Sequence, residues 1–164
     1  MDPALVLSRA FDAEPGMAWI AGDRGRHWFA ATARLPHLVT RTAPGAAALL
    51  SPPGATPDAA ARSAWTMHVL FHCGPAAIHR TLRYTREAER RKPSDAWTLE
   101  FIGAEHPGHG AGRRLLALIV DEFEDLWLTT ADPDNVPLYR RFGFSVTDHW
   151  TLGALEIHAL HRVR

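Results

Sequence analysis

The chain has 164 residues, 46% of them hydrophobic and 22% charged, and its 18 Lys and Arg balance 18 Asp and Glu to a formal net charge of zero. That composition excludes the basic footprint of a nucleic-acid binder and the polar, charged make-up of a disordered segment, and it supplies enough apolar chain for one core. One cysteine, Cys73, excludes an intrachain disulfide. The start Met1–Leu7 has no basic region of a signal peptide, and no stretch is long enough to span a membrane, so the expectation is a cytoplasmic protein with neither membrane nor nucleic-acid partner.

Taken in order, Leu5–Phe11 reads as a short amphipathic helix broken at Pro15-Gly16, Met17–Ala21 as a second, and Arg24–Leu35 as a third that Pro36 ends. Leu38–Thr42 and Ala46–Leu50 flank Pro44-Gly45 and read as a β-hairpin, followed by the loop Ser51–Pro57. Two helices follow, roughly Asp58–His72 and Pro75–Arg91. The charged end of the second, Arg86–Lys92, reads as solvated, with a weaker reading as a contact for an adenosine 3′-phosphate. The last third alternates: a buried strand 97–104, a glycine turn, a helix over 110–123, a strand 126–130, a turn at Ala131–Asp134 and a short helix Asn135–Phe142 stopped by Gly143. Strands 144–148 and 152–161 close it. This order predicts one α/β domain over 1–164, built on a single mixed sheet.

The turn Gly108-His109-Gly110-Ala111-Gly112 is the most informative stretch. It opens a helix whose Leu115, Leu116, Ile119, Val120 and Phe123 share one face, so its bare N–H groups sit at the positive end of a helix dipole, a site for phosphate or pyrophosphate. A P-loop needs Lys then Ser or Thr after the last glycine, and Arg113-Arg114 stand there. A dinucleotide fingerprint would place its third glycine at Arg113, and too little chain remains for a doubly wound sheet.

Gly108–Leu116 as a whole resembles the acyl-CoA pyrophosphate loop of the GNAT acetyltransferase superfamily. Asp134-Asn135-Val136-Pro137-Leu138-Tyr139-Arg140-Arg141-Phe142-Gly143-Phe144 resembles its second signature, N-x-x-x-Y followed by Gly-Phe. Ala10–Pro15, Leu49–Gly54 and Leu99–Gly103 look like stretches of the branch that includes puromycin acetyltransferase. The resemblance implies a GNAT fold: a mixed, mostly antiparallel sheet flanked by helices. It also implies acetyl transfer from acetyl-CoA to a primary amine of a small molecule, an antibiotic or natural product among the candidates. Two features depart from the pattern. Pro107, which has no N–H, precedes the first glycine where the family has Gln or Arg, and the usual first strand is expected to be missing, since Met1 falls almost at the first helix. The second leaves a sheet edge that a second copy, as a homodimer, could cover. Retained alternatives are a GNAT-fold acyl-CoA-binding protein, a transferase with another donor or acceptor, and a macromolecular acceptor such as aminoacyl-tRNA.

The resemblance assigns the pyrophosphate to Gly108, His109, Gly110, Ala111, Gly112 and Arg113, and the pantetheine arm to the edge of strand 97–104, at Ile102, Gly103 and Ala104, as an added strand. Asn135 can hydrogen-bond the cofactor or cap the helix it precedes. Tyr139 occupies the general-acid position, and a phenol is a fair match for a leaving thiolate. Glu100, an acid in an apolar strand, is the candidate base, with ordered water or a structural salt bridge as the competing readings. Strand alternation places it opposite Leu99 and Phe101. Trp19 and Trp65 fall in segments that border the acceptor site in this family. His68, His72 and Cys73, and likewise His106 and His109, have spacings compatible with a metal, but no complete ligand set stands out and none is assigned. His158 and His161 are candidates for the acceptor pocket or ordinary sheet histidines.

Overall fold

The computed structural model describes residues 1–164. Two helices, α1 (Pro3–Ala10) and α2 (Pro15–Ala21), each begin on a proline whose missing N–H costs nothing at that position, and Asp2 and Glu14 cap them by accepting from Ala4 and Met17 N–H. A 3₁₀ turn leads to α3 (Gly25–Thr32). The hairpin β1 (Val39–Ala43) and β2 (Ala46–Ser51) turns at Gly45, whose φ of 73° only glycine adopts freely. Then come α4 (Ala59–Cys73), α5 (Pro75–Glu89), β3 (Trp97–Ala104), α6 (Ala111–Glu122), β4 (Asp125–Thr130), α7 (Val136–Arg141), β5 (Ser145–Leu152) and β6 (Leu155–Val163). The final hairpin turns at Gly153, not at residues 149–151 as the sequence reading had it. Alternation runs unbroken through His149–Leu152, so pairing continues until a glycine permits the turn.

All six strands form one sheet in the order β1-β2-β3-β4-β6-β5. Every pairing is antiparallel except β3 with β4. Helices α6 and α7 cover one face around Leu115, Leu116, Ile119, Leu126 and Leu128. Helices α1–α5 cover the other, over Leu7, Phe29, Leu49 and Trp127. The fold is thus a mixed, mostly antiparallel sheet between two helical layers, and no strand precedes α1. No helix is long and apolar enough to cross a membrane.

Strand β3 carries the irregularity on which the site depends. Leu99 pairs with Leu50 and Phe101 with Leu49, so Glu100 is an extra residue with no partner on β2. This β-bulge corrects the alternation argument. Leu99 packs toward α6 while Phe101 packs with Phe11, Trp28 and Phe29 on the opposite face. Beyond the bulge the phase is inverted, and Ile102 and Ala104 join Leu99's side of the sheet.

Past the bulge, Gly103 lies against α1. A Cβ there would sit 2.4 Å from Ala10 Cβ. Gly103→Ala is therefore expected to lower stability by about 1–3 kcal/mol in urea unfolding. Gly112→Ala, whose Cβ would meet only Ala104 Cβ at 3.8 Å, is expected to keep the parent stability or exceed it.

Candidate active site

Only two rungs, Trp97 with Leu126 and Thr98 with Trp127, join β3 to β4. Beyond them β4 continues to pair with β6 through Thr130 and β3 with β2 through Ala104, but the two parallel strands no longer pair with each other. From Leu99 onward the β4-facing edge of β3 is unpaired. Into this gap opens a cavity of about 1130 Å³, lined from β3 by Leu99–Ala104 and from the segment between β3 and α6 by His106, Pro107, Gly108 and Gly110.

At that turn, Gly108 and Gly110 take φ of 84° and 75°, and α6 begins at Ala111. No backbone N–H from Gly108 to Arg113 donates to a protein acceptor. The first helical donor is Arg114, to Gly110 C=O at 3.0 Å. The loop is braced from behind, where Arg114 Nη1 donates to His109 C=O and the His109 ring meets Pro107 C=O. This row of unsatisfied donors at a helix N-terminus fits an anionic phosphate group. Pro107 removes one donor before the row begins and leaves the rest intact.

Further in, the walls become acidic and aromatic. The half-buried Glu100 carboxyl accepts from Ser51 Oγ at 2.6 Å. Burial holds it above the ordinary carboxylate range, against the lowering pull of Ser51 and of Lys92. Burial likewise raises Glu14, against its backbone bonds to Met17 and Gly16. Both tyrosines line the cavity, and burial pushes both phenols above their ordinary value, so each is a protonated donor at neutral pH. They differ in what they touch. Tyr84 is engaged with Thr129 Oγ1 at 2.9 Å, whereas the Tyr139 hydroxyl has no protein partner, with Glu14 and Asp132 near enough to raise it further. Phe11, Trp28, Trp65 and Phe101 supply the aromatic surface. The indoles of Trp28 and Trp65 are held at 3.0 Å by Thr81 and Thr32.

No protein-family model matches the chain, and no curated protein sequence matches it. Its structure, however, superposes on several enzymes along nearly their whole length. An N-acetyltransferase from Staphylococcus aureus Mu50 aligns at a TM-score of 0.58 with 13% identity, covering 96% of this chain and 92% of that one. A polyamine N-acetyltransferase of Drosophila melanogaster, which forms N-acetylagmatine, aligns at 0.57 with 13% identity over 98% and 92%. A mosquito arylalkylamine N-acetyltransferase-like protein aligns at 0.54 with 13% identity over 100% and 96%. The chain has the GNAT fold.

Within this GNAT fold the structure brings Glu100, Ile102, Gly103, Ala104, Gly108, Gly110, Ala111, Gly112, Arg113, Asn135 and Tyr139 to one cavity. His109 does not line it and contributes only its free backbone N–H. Asn135 stands at the N-cap position of α7, but its side chain caps nothing, and the turn before it is capped by Asp132. Trp65 lines the cavity. Trp19 does not, and packs beneath Arg80 instead. His158 stacks on His149, and His161 bonds Asp125 at 2.6 Å, so both lie outside the cavity. The end of α5 departs from its solvated reading. Arg91 stacks on Trp150 and pairs with Asp148, and the Lys92 side chain, only 8% exposed, turns into the cavity beside Glu89. Sequence reasoning missed Glu14, Ser51 and Tyr84, and it did not place Lys92 or Asp132 in this cavity. Only the position of Glu14 at a helix start offered a signal, and that signal is a cap.

Because the folded protein holds Glu100 above its unfolded pKa, the native state binds the extra proton, and stability falls as pH rises through the interval between the two values. Glu100→Gln removes this loss. The variant's stability relative to the parent is expected to improve as pH rises from about 4, the ordinary glutamate value, through the raised value of the folded protein. Urea unfolding across that range checks it, and a pH-independent difference would contradict it.

Proposed function

We propose that the protein transfers an acetyl group from acetyl-CoA to a primary amine of a small molecule. The observation that carries this reading is the parting of β3 and β4. It leaves a bare strand edge between a row of free N–H groups and a pocket that holds both a raised carboxyl and an unengaged phenol.

In this reading the N–H groups of Gly108 to Arg113 bind the pyrophosphate, and the edge at Ile102, Gly103 and Ala104 takes the amide-bearing arm as an added strand. Asn135, free of capping duty, hydrogen-bonds the cofactor from the α7 side. Acetyl-CoA supplies an activated thioester. Glu14, Glu100 and Asp132 give the pocket an acidic character that favours a protonated amine. Glu100 takes one proton from that ammonium, and the amine it frees forms a C–N bond at the thioester carbonyl as the C–S bond breaks. Tyr139 gives its proton to the departing sulfur and is restored by the second proton shed from nitrogen.

The acceptor surface combines this acidity with Phe11, Trp28, Trp65 and Phe101. Arylalkylamines and polyamines, for which two of the structural neighbours are named, are the first acceptors to assay. The link to antibiotic or natural-product acceptors rests on the short stretches Ala10–Pro15, Leu49–Gly54 and Leu99–Gly103 alone.

Isothermal titration with acetyl-CoA is expected to show saturable binding that Gly112→Trp removes. Tyr139→Phe is expected to keep that affinity while lowering kcat on an accepted amine by about 10²–10⁴-fold. Absence of acetyl-CoA binding by the folded parent overturns the reading, and binding without turnover on any amine leaves a CoA-binding protein in its place.

A further inference from the structure

We propose that His27, His68 and His72 form a transition-metal site, of the class that takes Zn²⁺, Cu²⁺ or Ni²⁺ on neutral imidazole nitrogen. His68 and His72 stand four residues apart on α4 and so share a face. Helix α3 packs against α4 and presents His27 to the same spot. One ring nitrogen from each of the three lies within 4.8 Å of the others. The His27 and His72 rings are parallel with centroids 4.6 Å apart, and His68 meets His72 at 4.5 Å.

Three imidazoles gathered without an acid require an explanation. None of them pairs with a carboxylate, and the molecule's one imidazole–carboxylate pair is His161 with Asp125. His68 Nε2 is buried and has no hydrogen-bond partner, an atom that a ligand would satisfy. Three nitrogen donors with neither thiolate nor carboxylate suit the borderline ions and leave an open position for water. Closing on Zn²⁺ at about 2.0–2.1 Å in tetrahedral geometry brings donor nitrogens to about 3.3 Å of one another. The exposed His27 side chain is free to make that approach by rotation.

The surroundings oppose the ion to a degree. Arg34 acts electrostatically on His68, and Arg24 donates to His72 C=O at 3.4 Å. The role is a clasp and not a part of the transfer chemistry. His27 precedes Trp28, and His68 lies one helical turn beyond Trp65, and both indoles line the cavity. A bound ion would tie α3 to α4 behind that wall.

The test is isothermal titration of chelator-treated protein with ZnCl₂, with thermal unfolding measured alongside. The parent is expected to bind one ion per chain and to unfold at higher temperature with zinc. His68→Ala and His27→Gln are expected to weaken binding at least about tenfold and to lose the thermal shift. His149→Ala, which disrupts the stacked His149–His158 pair elsewhere, is expected to change neither. Should His68→Ala fail to fold by circular dichroism, His27→Gln, altered at an exposed ring, decides. No saturable binding by the parent, or unchanged binding in His27→Gln, overturns the site. These readouts require no enzymatic turnover, so their failure is separate from any failure of the acetyltransferase reading.

Discussion

Two rungs of parallel ladder hold β3 to β4, and the site exists because there is no third. A sheet whose central strands stayed paired would satisfy its own N–H and C=O groups and leave nothing for a ligand to meet. The bulge at Glu100 prevents that. One residue too many on β3 bends the strand where its pairing with β4 ends. The same insertion inverts the side-chain phase beyond it. Gly103 thereby falls against Ala10, where any side chain would collide, while Ile102 and Ala104 keep the α6 layer covered. Strand geometry, helix packing and the cavity therefore come together at one unpaired residue, which is also one of the carboxylic acids of the pocket.

Placing an acid at the bulge has electrostatic consequences. A carboxyl at this parting loses water without gaining a direct ion pair. Its close partner is the neutral hydroxyl of Ser51, with Lys92 acting from farther away and itself committed to Glu89. Desolvation wins, and the carboxyl binds a proton more readily than it would in solution. The same dry surroundings raise both phenols. Tyr84 answers with a bond to Thr129, which spends its hydroxyl on tying α5 to β4, and Tyr139 is left unengaged. Burial thus raises the carboxyl, which makes it the better proton acceptor, and keeps the phenol protonated as a donor, and the two line one cavity.

Much of this was legible in the sequence because it is written in local chemistry. β3 runs over the residues its apolar pattern indicates, and the first two helices are where the sequence reading puts them, although each begins two residues earlier, on Pro3 and on Pro15, which the sequence reading takes as a break. The glycine turn opens α6 with the left-handed residues that its spacing requires. Features that depend on register were not legible. A bulge leaves no mark in alternation read from one strand, since the extra residue shows only against the partner's count. The burial of Lys92 was hidden in a charged run, because a helix end reads as solvated until tertiary packing turns one side chain inward. Tyr84 sits on a helix whose sequence is mostly polar. Its function is fixed by a threonine 45 residues away.

The wall formed by α3 and α4 is the least constrained part of the site by these standards. Hydrogen bonds from Trp28 to Thr81 and from Trp65 to Thr32 set the two indoles in place, and the two helices meet through Trp28, Phe29, Trp65 and Val69. On α4 the side facing away from the sheet leaves Met67, Leu70 and Phe71 exposed, and Val69 is its one fully buried side chain. A helix with so little buried anchorage is free to shift over its neighbours at low cost. The β3 edge and the α6 turn, held by the sheet and its core, fix where a cofactor would lie. In the proposed acetyltransferase reading, the α3–α4 wall borders the acceptor side through Trp28 and Trp65. If the proposed transfer to amines is correct, selectivity among them is expected to depend on the position of Trp28 and Trp65, and substituting either is expected to change the relative kcat/KM of an arylalkylamine and a polyamine.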